Sequence, residues 1–118
     1  MEMAYLRKEK ETYEIDHPLG KNWAAIPKAL ASLEWTMEEN DVAEHHAKAK
    51  TKGAFMSYNS EITIDAVPMN KKTARVTVTA ETPVTTITAI ADFGRTQQRI
   101  EIFFESLAKQ LTSQKTTQ

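Results

Sequence analysis

The chain has 118 residues, 41% of them hydrophobic and 26% charged, which suits one buried core and argues against a disordered or membrane-embedded protein. Fifteen Lys and Arg against sixteen Asp and Glu leave a net charge of -1, so the chain as a whole has no basic bias to hold a phosphate backbone. There is no cysteine, which excludes disulfides, thiolate metal sites, iron–sulfur clusters and cysteine nucleophiles.

No apolar stretch approaches the ~20 residues that a spanning helix needs. Met1 to Lys10 carries scattered charges and no apolar block, unlike a secretory leader. A cytoplasmic protein is expected, an exported one whose leader is missing being the alternative. One domain should span residues 1–118, with a structured core over 11–111 and a polar tail over 112–118.

The first strand is expected at Glu11 to Asp16, with Tyr13 and Ile15 on one face, before His17-Pro18-Leu19-Gly20 turns the chain. Asn22 is placed to cap a helix over Trp23 to Leu33, where Trp23, Ile26, Leu30 and Leu33 form one apolar stripe. Pro27 lies past its first turn and predicts a kink. A short strand follows at Trp35 to Glu39 and a turn at Asn40-Asp41. From Ala43 to Thr51 the residues alternate, with Ala43, His45, Ala47, Ala49 and Thr51 on one face. Further strands are read at Ala54 to Tyr58, at Glu61 to Ala66, at Thr73 to Thr82 and at Thr85 to Asp92. Their inward residues are Ile62, Ile64 and Ala66, then Ala74, Val76, Val78 and Ala80, then Ile87, Ala89 and Ala91. Phe93-Gly94 opens a final helix, Arg95 to Leu111, whose Ile100, Phe104, Leu107 and Leu111 recur at helical spacing with Phe103 beside them. The expected fold class is α+β: an antiparallel sheet of about five strands with two helices on one face, in the order β-α-β-β-β-(β)-α.

Several residues suggest chemistry. His45-His46 is the candidate metal pair, yet neighbours in a strand point to opposite faces, so both could bind one ion only across a bulge. Arg95, Thr96 and Arg99 at the start of the last helix are candidates for an anion, with a simple helix corner as the plainer reading. Lys48, Lys50 and Lys52, with Lys71, Lys72 and Arg75, could form a basic stripe, but no aromatic residue interleaves with them and a solvated sheet face accounts for them. Nucleic acid is therefore disfavoured as a partner. Glu61 and Asp65 share an outer face without the burial an acid–base pair needs. No nucleophile elbow, phosphate loop or dinucleotide fingerprint appears, so neither a cofactor nor a catalytic residue is expected. Ile102 lies about 200° around the helix from Ile100 and is the candidate interface residue.

The aromatic-led first helix with its small-leucine pair (Trp23, then Ala29-Leu30), the strand after Leu33, the Thr/Val-rich Arg75 to Ala80 and the Phe93-Gly94 opening of the last helix carry a resemblance. Together they resemble the small helix-grip-like domains of uncharacterised bacterial lipoproteins, a domain of unknown function, and more distantly the repeated domain of the outer-membrane assembly lipoprotein C. The chain lacks a lipobox cysteine and adds the Thr85 to Asp92 strand. The resemblance implies a helix-grip-like fold and assigns no catalytic residue.

The expected function is a non-catalytic binding or assembly module acting through protein–protein contacts or self-association. The alternative is a small-ligand carrier with a pocket between the C-terminal helix and the sheet, left open by the many alanines on the inner face.

Overall fold

The computed structural model describes residues 5–52, 59–84 and 94–116. The elements run β1 (Tyr5–Ile15), α1 (Leu19–Ser32), β2 (Thr36–Asp41), β3 (His46–Lys50), β4 (Glu61–Pro68), β5 (Ala74–Val84) and α2 (Arg95–Thr116). The strands form one antiparallel sheet in the order β1-β5-β4-β3-β2, with both helices on one face. This is the expected α+β architecture. The strands expected at 54–58 and 85–92 lie outside the described residues.

Alternation decides which side of the sheet is covered. Ile62 pairs with Ala80, Ile64 with Val78 and Ala66 with Val76 across β4 and β5, while Ala47 and Ala49 of β3 face Ile64 and Ile62. Directly paired residues share a face, so these side chains make one apolar floor. Onto it α1 brings Trp23, Ile26, Ala29 and Leu30, and α2 brings Ile100, Phe103, Leu107 and Leu111, all buried. Each large side chain among them contributes roughly 1.5–3 kcal/mol. Of the two helices, α1 lies against β2 and β4 while α2 lies over β5 and β1.

The structure departs from the sequence pattern at several points: β2 takes in Asn40 and Asp41, where a turn is expected, and α2 runs past Leu111 to Thr116. Phe103, not Phe104, is the fully buried aromatic of α2, and Phe104 turns about 100° further round, toward β1. The turn before β3 takes in Ala43 and His45, and His45 has a left-handed backbone (φ 51) while the Asp41 carboxylate accepts from the Glu44 amide at 3.1 Å. Asn22 does not cap α1 from outside. The helix begins at Leu19, and Asn22 sits buried in its first turn, donating through Nδ2 to the carbonyls of His17 (2.8 Å) and Pro18 (3.3 Å). Finally, β1 extends back to Tyr5, pairing along its whole length with β5 and placing Arg7, Glu9 and Glu11 opposite Thr82, Ala80 and Val78 on the helix-facing side.

Both helix junctions rest on left-handed residues. At the end of α1, Trp35 N–H donates to the Leu30 carbonyl and Glu34 N–H to that of Ala31, each at 3.0 Å, with Glu34 at φ 61. This is a Schellman closure, in which glycine is usual and glutamate is strained. At the start of α2, Gly94 holds φ 78 and its carbonyl accepts from Gln98 N–H at 2.9 Å. Among the described residues, no helix is long and apolar enough to cross a membrane.

Candidate functional site

Helical geometry gives α2 three working faces. Thr96, Ile100, Phe103 and Leu107 point into the core. Phe104, Ala108 and Thr112 look toward β1, and Arg95, Gln98 and Ile102 look toward the end of α1. The second face bounds a cleft of about 390 Å³, closed on the other side by Tyr13, Ile15 and the turn residues Asp16 and His17.

Aromatic packing builds the floor of this cleft. The Tyr13 and Phe104 rings meet edge to face with centroids 4.5 Å apart, and Phe104 leans likewise on Phe103 at 5.7 Å. Such pairs contribute about 0.5–1.5 kcal/mol beyond the area they bury. Tyr13 is nonetheless 46% exposed, so its ring offers surface to whatever enters. The rim is held by polar contacts. Glu14 is ion-paired with Arg75 at 3.2 Å, and Asp16 accepts from the Thr73 hydroxyl at 3.1 Å. His17 N–H donates to the Ile15 carbonyl at 2.7 Å, and Asn22 secures the His17 carbonyl from below. The result is a preformed, largely apolar recess with carboxylates and an imidazole at its mouth.

At the opposite end of α2 the core turns polar. Thr82 hydrogen-bonds to Ser60 and, at 2.9 Å, to Thr96, while Arg99 donates to the Ser60 hydroxyl. The Ser60 amide donates to the Thr51 hydroxyl at 2.8 Å, and Gln97 donates to Glu11. Ser60, Thr51, Thr82, Thr96 and Arg99 are all buried. This cluster was missed in sequence, although Thr82 continues the inward parity of Val76, Val78 and Ala80.

The residues singled out in sequence scatter in an informative way. His45 packs edge to face on Trp23 at 5.4 Å, whereas His46 lies on the outer face with Nδ1 2.6 Å from Asp65 and Nε2 3.8 Å from Glu39. Among the described residues, no three His, Asp or Glu side chains are grouped to hold a metal. Arg95, Arg99 and Ile102 do come together, lining one depression with Lys52 and Trp35. Thr96 is turned away from it, toward β5. Ile102 is half-buried rather than exposed.

The sequence matches no family profile and no curated protein. Solved structures do resemble the fold. A norcoclaurine synthase point mutant from Thalictrum flavum, in complex with a transition-state analogue, superposes with a TM-score of 0.70 over 97% of this chain and 99% of that one, at 11% identity. An aromatase/cyclase from a Streptomyces species gives 0.72 over 96% and 98% at 10% identity. An uncharacterised Bacillus thuringiensis protein gives 0.63 over 89% and 96% at 17% identity. At these identities the likeness is one of fold, and the fold is helix-grip. It corrects the resemblance to bacterial lipoprotein domains: the neighbours are norcoclaurine synthase and aromatase/cyclase structures instead. The motifs behind that resemblance are an apolar helix face and a glycine at a helix start, Gly94 at φ 78, which serve packing and a change of chain direction and identify no family.

Proposed function

We propose that the protein binds a small, largely apolar molecule in the cleft between β1 and α2, the Tyr13 and Phe104 rings forming the contact surface. The observation that carries this is the cleft itself. Its volume of about 390 Å³ lies within the ~300–1,000 Å³ usual for small-ligand sites. An exposed tyrosine ring on a rigid floor is surface of the kind an aromatic ligand stacks on. The fold neighbours lend support, since a Thalictrum flavum norcoclaurine synthase has been solved with dopamine and hydroxybenzaldehyde.

Among the described residues that line the cleft, the charged groups are Glu14, already paired with Arg75, and Asp16, so the ligand is neutral or cationic at its polar end. Titration with 2-naphthol, followed by amide and aromatic NMR shifts, tests the proposal. Shifts at Tyr13, Phe104, Ala108 and Leu111, abolished by Ala108→Phe, are expected. Shifts elsewhere, or none at millimolar probe, would refute it.

A further inference from the structure

Among the described residues, the large apolar side chains left exposed are Tyr13, Val42, Val67 and Met69. Tyr13 belongs to the β1 cleft. Val42 lies in the β2–β3 turn, flanked in sequence by Asp41 and Glu44. Val67 and Met69 have different company. They stand 50% and 42% exposed on the β4–β5 hairpin, whose tip also carries Lys71 and Lys72. From Ala66 to Ala80 the hairpin has Lys71, Lys72 and Arg75 as its cations and no acid. Every residue from Val67 to Lys72 is exposed.

We propose that this hairpin tip docks on the surface of an anionic lipid bilayer, Val67 and Met69 entering the interface while Lys71 and Lys72 meet the headgroups. Charge complementarity identifies the occupant. Arg75 is ion-paired with Glu14 at 3.2 Å, and Asp16, which shares a recess with the two lysines, accepts from the Thr73 hydroxyl. Among the described residues, no carboxylate forms an ion pair with Lys71 or Lys72. These two are the charges the tip offers, and each is worth about fivefold in affinity beside an anionic surface. The backbone suits the same setting, because an amide without a partner is costly where water is scarce. Met69 N–H and Asn70 N–H donate to the Thr73 carbonyl at 2.9 and 3.2 Å, and Lys72 N–H donates to Asn70 Oδ1 at 2.8 Å. Pro68 has no amide to satisfy. Three amides of the tip therefore bring their own partners to the interface. The β2–β3 turn opens at the same end of the sheet, where Ala66 N–H donates to the His45 carbonyl at 3.1 Å. Its Asp41 and Glu44 are repelled by a negative surface, so the β4–β5 tip makes the contact. This docking does not depend on what the β1 cleft holds.

The test is cosedimentation of the full chain with vesicles of phosphatidylcholine, alone or with about 30% phosphatidylserine. Binding to the anionic vesicles should be at least ~10-fold tighter than to the neutral ones and should weaken with salt. Lys71→Gln with Lys72→Gln should weaken it roughly 20-fold, and Met69→Ser about fivefold. Val42→Ser, and Ala108→Phe in the β1 cleft, should leave it unchanged. The chain has no cysteine, so Met69→Cys takes a single environment-sensitive fluorophore, whose emission should move to the blue on anionic vesicles. Equal binding to both vesicles, an unaffected lysine double variant, a label that stays in water, or no binding at ~1 mM lipid would each overturn the proposal. So would a dimer in light scattering that Met69→Ser disperses, which would assign the tip to a second copy of the chain.

Discussion

Tyr13 and Phe104, 91 positions apart in sequence, meet with ring centroids 4.5 Å apart and planes at 77°. This contact joins the edge strand β1 to α2 at the floor of the apolar cleft. It is a seam at which stability and binding can be separated experimentally.

Phe104→Ala should cost about 1–2.5 kcal/mol, combining the lost aromatic pair with half-buried area. Phe103→Ala, at a fully buried position, should cost about 3–5 kcal/mol. Urea unfolding of the two variants would show the difference in midpoint. In the folded Phe104→Ala protein, 2-naphthol affinity should also fall.

Glu34→Gly should stabilise the protein. The left-handed backbone at φ 61 costs a non-glycine residue about 1–2 kcal/mol, against about 0.4–1 kcal/mol for the greater freedom of glycine in the unfolded chain. A net gain of about 0.5–1 kcal/mol follows, because the exposed Lys52 pair that is lost contributes little. A urea midpoint that falls instead would show that the ion pair outweighs the backbone term.

The Lys52 ammonium, by hydrogen bond first and charge second, holds the Glu34 carboxyl below its ordinary value. A folded-state value lower than the unfolded one means the pair stabilises above the unfolded value, and this contribution is lost as pH falls through the folded one. The sign is therefore loss on acidification, in the carboxylate range. NMR titration of the Glu34 side chain should give a higher midpoint in Lys52→Met than in the parent, and a smaller difference at high salt.

Thr82→Val tests the buried polar end of the core. Removing this hydroxyl takes one partner from both Ser60 and Thr96, and buried groups left short of a partner cost about 1–3 kcal/mol. Amide exchange at the first turns of α2 should accelerate in this variant. Exchange as slow as in the parent would show that the network is not what holds that end of the helix to the sheet.

Much of the architecture was legible because periodicity reports burial within one element. Val76, Val78 and Ala80 alternate and are buried; Ile100, Leu107 and Leu111 recur at helical spacing and are buried too. The N-terminal half of β1 was illegible for the same reason. Arg7 to Glu11 carries charge at every position, so nothing marks Arg7, Glu9 and Glu11 as facing the helix. An edge strand needs no apolar inner face along its full length, and inward charges there also discourage pairing with other chains. Asn22 read as a cap for want of any local sign that Pro18 already precedes the first turn.

By itself, then, the sequence determined which faces of the main strands and helices turn inward, and hence a sheet covered on one side by two helices. Only the tertiary structure decided that Tyr13 would meet Phe104, that Thr82 would meet Ser60 and Thr96, and that Lys52 and Trp35 would join Arg95 and Arg99. The reason is physical: a repeat in one segment records that a side is buried, while the identity of what buries it depends on strand order and helix placement across the whole chain.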